Sequence, residues 1–427
     1  MTHNEIYKFA AKILKFERSL TGKGNLKTLK EIKRINNNLK IKSFKSGSKV
    51  FDWTIPYEWE VKNAFIITPS GKKICEFKKN NLHLVGYSQS VNKILSREKL
   101  NKYLHSLKKQ PNAIPYVTSY YKKNWGFCIE DKLKKKLQKG NYKVLIDSKF
   151  KKGKMVYGEI IFKGRSNKEI LFSTYICHPE MANNETSGLS VLTYLTKWIC
   201  KKRRNFTYRI IFVPETIGAV SYINKNLINL RKNLIAGYVV TCVGDENYFS
   251  YIPSRQGNLV CDFVAKEILR KNTKKYKIYS WLDRGSDERQ FCSPGINLPV
   301  CSVTRSKYGN FKEYHTSLDR LDSLVTSKGL NESFDIYKKI ITYFEKNNKY
   351  EYFFPKSVYK CEPHLSKRNL YPSLSIKNQS VKVRNLMNIL SYCDGSKSIN
   401  QIASLTKNNI SQTNKILKLL KSKKIII

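Results

Sequence analysis

Apolar positions recur at helical spacing from the first residues. Ile6, Phe9, Ile13, Leu14 and Phe16 share a face, and a second helical run extends from Leu26 to Leu39, so residues 5–44 are expected to be helical. The pattern breaks at Lys45-Ser-Gly-Ser-Lys. β-Branched and aromatic runs follow, at Val50-Phe-Asp-Trp-Thr-Ile-Pro, Ala64-Phe-Ile-Ile-Thr and Leu82-His-Leu-Val, with turn signals such as Pro69-Ser-Gly between them. They predict a β-rich unit inserted over residues 49–129. From Tyr142 the grammar changes. Residues 142–146 and 155–162 read as a pair of strands, and 170–176 as an apolar strand buried on both faces. Helical runs at 189–200, 219–229, 261–270 and 330–344 then alternate with strands at 209–213, 236–243 and 299–303. This alternation predicts an α/β domain, split as 1–48 and 130–352, with a mixed and largely parallel sheet. After Pro355, helical runs at 381–392, from Ser398, and at 411–422 precede an apolar Ile425–Ile427. Three helices and a terminal strand in so short a span resemble a winged helix, expected over 356–427.

Composition narrows the class. The 427 residues are 41% hydrophobic, enough for two or three domains with real cores. No run of 18 apolar residues occurs, and the first residues lack the regions of a signal peptide, so a cytoplasmic protein away from membranes is expected. The ten cysteines are scattered without a CxxC pair, as in a reduced compartment. The net charge of +48 raises the question of a polyanionic partner. The basic residues are mostly Lys and are spread along the whole chain, which fits a solvated surface better than a binding arm.

In an α/β sheet, ligands bind beyond the carboxyl ends of the strands. Four such ends carry candidate chemistry. His178 follows a buried strand, and Glu185 stands seven residues on, just before a helix. Both are plausible metal ligands, although a His at a helix start also serves as a cap. Glu215 directly follows the strand at 209–213, as a general base, a ligand, or a charge favoured by a helix N-terminus. Asp287 sits among charges of both signs in Asp283-Arg-Gly-Ser-Asp-Glu-Arg-Gln-Phe, which also suits a salt-bridged loop. His315 lies between the last strand and the last helix, with Asp319 four residues on to orient it or a helix cap nearby to explain it. His178, Glu185 and His315 together offer a three-ligand zinc site with an open position, where Glu215 takes the proton of a bound water.

The order His178, Glu185, Glu215, Asp287, His315 on this α/β grammar resembles the co-catalytic zinc aminopeptidases, and more closely a bacterial aminopeptidase-like subfamily. The marks are Cys177-His-Pro with Ala182-Asn-Asn-Glu-Thr-Ser-Gly, then Val213-Pro-Glu-Thr, Thr241-Cys-Val-Gly-Asp, Gly285-Ser-Asp-Glu-Arg-Gln-Phe-Cys-Ser-Pro-Gly and Tyr314-His-Thr-Ser-Leu-Asp. The resemblance spans nearly the whole chain. It implies a three-layer zinc-exopeptidase-like core, an inserted protease-associated-like domain and a C-terminal winged helix. It also implies a zinc-dependent hydrolase that cleaves an amide of a small peptide or peptide-like conjugate. Three positions depart from the two-zinc pattern. Asn184 stands where a bridging Asp is expected, Thr216 where a second Glu is expected, and Thr241 where a further Asp is expected, although Asp245 is close. One zinc is therefore expected, held by His178, Glu185 and His315, with Asp287 completing the site or binding a substrate amine. Arg255, Arg289 and Arg305 are candidates for a substrate carboxylate, and Tyr314 for substrate contact. The competing reading is a degenerate enzyme fold kept as a scaffold or binding protein. The last helix has several Lys and no Arg, so nucleic acid is not expected as a partner. Self-association is left open.

Overall fold

The computed structural model describes residues 4–120, 122–346, 354–370 and 381–427. An eight-stranded sheet forms its centre, in the spatial order Lys40–Lys45, Lys154–Phe162, Thr207–Val213, Glu169–Tyr175, Leu234–Val239, Val300–Thr304, Phe249–Ile252 and Tyr276–Ile278. The four strands at 207–213, 169–175, 234–239 and 300–304 run parallel. The strand at 154–162 is antiparallel to its neighbours, and so is 249–252 to 300–304. Every position of the parallel strands 169–175, 207–213 and 234–239 is buried, so both faces need cover. Helices Glu5–Leu14, Ser187–Ile199, Val260–Asn272 and Ser327–Lys346 cover one face through Ile6, Phe9, Leu192, Val264, Leu330 and Tyr337. Helices Ile217–Asn233 and Glu288–Phe291 cover the other through Ala219, Tyr222 and Phe291. The expected three-layer α/β core with its mixed sheet is this structure.

Two local expectations are corrected by pairing. Residues 40–44, expected to be helical, form the edge strand Lys40–Lys45, antiparallel to 154–162. Lys42 ion-pairs with Glu159 across that register, and Phe44 stacks on Tyr157 with ring centroids 4.7 Å apart. These cross-strand contacts outweigh local preference. The strands expected to pair with each other, Asn141–Lys151 and Lys154–Phe162, lie in different sheets. The first sits between Glu58–Ile67 and Val91–Ser96 in the antiparallel sheet of the insert. Residues 141–151, expected in the α/β domain, are thus part of the inserted sheet. The core of the insert, with Ala64, Ile66, Tyr87, Val144 and Ile146, runs on without a break into Cys177, Ile217 and Val220 of the large domain. The insert is therefore a wall of the site edge.

The winged helix follows, with helices Val381–Ser391, Ile399–Leu405 and Ile410–Ser422 around Leu386, Ile389, Ile402, Leu417 and Leu420. The helix from Ser398 is capped: Ser398 and Gln401 form a reciprocal capping box. The terminal strand is reduced to single bridges such as Ser357 with Ile426. All ten cysteines are free thiols. No described helix is long and apolar enough to cross a membrane.

Candidate active site

The parallel strands end at one edge, so the segments that follow them converge there. Four residues there hold positive φ: Glu180 (50°), Thr216 (63°), Cys242 (51°) and His315 (54°). Such backbone is sterically costly for side-chain-bearing residues and concentrates at functional sites. A π-helical turn, Ala182–Thr186, also opens the helix after the first of these segments.

His178 is 2% exposed. Its Nδ1 lies 3.0 Å from Glu185 Oε2, and its Nε2 lies 3.6 Å from Glu215 Oε2. The His315 ring is 5.3 Å from it, centroid to centroid. Tyr314 stacks on His315 at 3.9 Å, and Tyr116 of the insert meets His315 at 5.1 Å and His178 at 5.3 Å. Burial disfavours charge on His178, but the Glu185 hydrogen bond and the Glu215 charge outweigh it and raise its pKa. Burial, then the His178 charge, push His315 down to about 3, so it is a neutral imidazole at ordinary pH.

The two open carboxylates lie together. Glu215 is partly exposed, and burial raises its pKa against the pull of His178 and Arg289. Ser286 Oγ donates to its Oε1 at 3.2 Å. Asp287 is fully buried. Its Oδ1 accepts from the Thr216 N–H at 2.7 Å, while its Oδ2 has no partner. Burial and the neighbouring Glu215 charge push it well above the usual carboxylate range.

Glu185 is placed differently from an open ligand. One oxygen takes Arg18 Nε at 2.6 Å, and the other takes the Cys177 and His178 N–H groups at 2.7 and 2.6 Å besides the His178 ring. It stands behind His178. Asp319 does not touch His315. It accepts from the Asn183 and Asn184 N–H groups, at 2.5 and 2.9 Å, and so caps the π-helical turn. Asp245 is likewise consumed by Asn183 Nδ2, Asn247 N, Ser306 N and Ser306 Oγ. At the departing positions, Tyr175 OH donates to Asn184 Oδ1 at 3.0 Å, and Thr241 Oγ1 donates to the Asn184 carbonyl at 2.6 Å. That corner is neutral.

The proposed substrate residues separate. Arg289 reaches Thr216 Oγ1 at 2.9 Å, at the rim of the Glu215–Asp287 pair, and Tyr314 covers His315. Arg255 is at the other end of the sheet, bonded to Asn297 before the strand 300–304. The strand 249–252 that delivers it is antiparallel to 300–304, which reverses its exit. Arg305 is buried, paired with Glu332 at 2.9 Å and lying over the Phe249 ring. Neither is available at the site edge. Two contributors had no local sequence signal: Arg18, from the N-terminal segment, and Tyr116, from the insert. A narrow cleft of about 80 Å³ runs between those two regions, lined by Trp59, Tyr87, Tyr116, Tyr120 and Pro179, next to His178.

Known proteins resemble this chain in sequence and fold. A family model described as "Domain of unknown function (DUF4910)" matches residues 7–347, and a winged helix-turn-helix model matches 354–427. A Clostridium acetobutylicum protein named "Putative polysaccharide biosynthesis protein with aminopeptidase-like domain" is 41% identical over 370 residues, 87% of this chain and 83% of the relative. The crystal structure of a "putative peptidase" from Clostridium acetobutylicum superposes with a TM-score of 0.80 at 36% identity, covering 100% of this chain and 96% of that one. The zinc aminopeptidase of Bacillus subtilis gives a TM-score of 0.56 at 12% identity, over 81% of this chain and 95% of that one. At that identity the last likeness is one of fold.

Proposed function

This chain belongs to the family matched over residues 7–347, with an aminopeptidase-like fold and a C-terminal winged helix, and we propose that it is a zinc-dependent hydrolase of amide bonds in small peptides or peptide-like conjugates. The observation that carries this reading is the pair of imidazoles at His178 and His315, 5.3 Å apart, with Glu215 beside His178 and the unpartnered, fully buried Oδ2 of Asp287 beside Glu215. A buried carboxylate oxygen with no donor, beside a second carboxylate, is costly unless a cation is bound. The donor set of two imidazole nitrogens and one carboxylate is that of a catalytic zinc site with an open position. His178, His315 and Asp287 would hold the ion. Glu185, with both oxygens occupied, orients His178 instead of joining the ligands. One ion suffices, because Asn184, Thr216 and Thr241 bring no carboxylate of their own for a second.

Bound zinc supplies a Lewis acid that polarises the scissile carbonyl and lowers the pKa of water. The protein supplies the rest. Glu215, its pKa raised by burial, takes a proton at its carboxylate and returns it to the leaving nitrogen. Glu185 accepts from His178 Nδ1–H, which leaves the Nε2 lone pair directed to the Glu215 side. Tyr314 and Tyr116 shield His315 from water. Arg289 offers a cation at the rim for a substrate carboxylate, and the aromatic cleft offers room for an apolar substituent.

Elemental analysis of protein purified without added metal tests this. About one zinc per wild-type chain is expected, lost in an Asp287→Asn, His315→Ala double variant. Glu215→Gln is expected to keep the zinc and to lose about 10²–10⁴-fold in turnover of an aminoacyl amide. About two zinc ions would overturn the single-ion reading. No metal under any loading condition would leave a scaffold or binding protein.

A further inference from the structure

The least expected residue near the site is Arg18. It belongs to the segment joining helices Glu5–Leu14 and Lys23–Ile35, far in sequence from every residue it contacts at the site. Its side chain is fully buried, as is that of its ion-pair partner Glu185. Nε donates to Glu185 Oε1 at 2.6 Å and to the His178 carbonyl at 3.1 Å, and Nη2 donates to Thr186 Oγ1 at 3.0 Å. A further bond runs from Nη1 back to the Ile13 carbonyl. One guanidinium thus joins the end of the first helix to both sides of the His178 segment.

The segment that carries Arg18 is itself clamped. A Cβ at Gly24 would lie 2.0 Å from the Glu17 carbonyl oxygen, so only glycine lets the second helix sit this close. Asn25 Nδ2 donates to the Ser19 carbonyl at 2.6 Å. The guanidinium therefore enters the site edge from a fixed base. A carboxylate removed from water needs a countercharge and a full set of donors. Arg18 gives Glu185 the countercharge, and the two backbone N–H groups complete its donors. The same Oε2 that takes those N–H groups also faces His178 Nδ1.

We propose that Arg18 is a positioning residue which, through Glu185, fixes the orientation and the Nδ1–H tautomer of His178 and so sets the affinity for zinc. This rests on the zinc reading above only for its second half. The tautomer is a property of the metal-free protein. Two measurements separate them. Nitrogen NMR of metal-free protein labelled with ¹⁵N-histidine reads the tautomer, and competition against a chelator reads zinc affinity. Wild-type His178 is expected to carry its proton on Nδ1. Arg18→Met is expected to mix or invert the tautomer and to weaken zinc about 10–100-fold, with Arg18→Lys between the two, since it keeps the charge and loses the fork. An unchanged tautomer with unchanged zinc affinity in folded Arg18→Met overturns the proposal and makes Arg18 a brace of the fold. If Arg18→Met does not fold, an Arg18→Met, Glu185→Gln double variant removes the unpaired charge, and wild-type zinc affinity there overturns it equally. If the wild type binds no zinc but Arg18→Met still shifts the tautomer, the zinc reading falls and the positioning role stands.

Discussion

Asp245 and Asp287 are both fully buried acids at the edge where the parallel strands end, and their surroundings differ in kind. Around Asp245 every donor has been supplied: two from Ser306, one from Asn247 and one from Asn183. Around Asp287 one oxygen has a backbone donor and the other has nothing, while a second carboxylate stands close by. The first arrangement holds two loops together. The second leaves an acceptor unsatisfied, which is what the proposed cation would complete. A buried acid is therefore informative only with its donors counted. By that measure Glu185 and Asp319 side with Asp245, and Glu215 sides with Asp287.

The widest separation between the two regions should appear in stability. Asp245→Asn turns an amide nitrogen towards donors that need an acceptor, at about 1–3 kcal/mol for each group left unpaired. Asp287→Asn keeps the Thr216 bond and removes a like charge beside Glu215, so metal-free protein should unfold at equal or higher denaturant concentration than wild type. Equal destabilisation by both substitutions would break the comparison.

A smaller effect should follow pH. Burial raises Asp319 from 3.8 to about 7, against two backbone hydrogen bonds that lower it. The folded state then holds the proton more tightly than the unfolded chain. Its stabilisation is complete below pH 3.8 and is lost as pH rises through about 7. Asp319→Asn should flatten that loss by up to about 1.4 kcal/mol per pH unit, measured by denaturation at a series of pH values. Glu215 and Asp287 contribute in the same direction in both proteins and cancel in the difference. Identical slopes would show that Asp319 does not belong with the closed acids. The smallest effect should come from Arg255→Ala, at the far end of the sheet, which should leave turnover of an aminoacyl amide unchanged. Arg289→Ala should raise KM for substrates with a free carboxylate. A loss at Arg255 would contradict the strand direction that separates the two arginines.

Much of the architecture was legible along the chain. The apolar strands at 169–175 and 207–213 and the amphipathic helices around them announce the α/β core, because burial on one or two faces imposes its own periodicity. The helical run from Ser398 forms, with Ser398 and Gln401 as its capping box. His178 and Glu215 stand out because a polar group directly after a buried strand has few structural reasons to be there, and Asp287 and His315 stand out within the loops that follow later strands. The strand Lys40–Lys45 was missed because an edge strand draws its stability from a partner more than a hundred residues away. The assignment of 141–151 to the insert was missed because its partners, at 58–67 and 91–96, lie outside any local window of sequence.

What the sequence determined by itself was therefore periodic or local: the core layers, the caps, and the presence of acids and imidazoles at strand ends. Tertiary structure alone decided which of those acids stay open. Glu185 lies seven residues from His178 and reads as its co-ligand, yet a guanidinium from Arg18 closes it. Asp287 reads as a candidate ligand or as part of a salt-bridged loop, and only the fold shows it buried without a second donor. Hydrogen-bond satisfaction is a sum over neighbours in space, and those neighbours come from the first helix, the insert and the far loops at once.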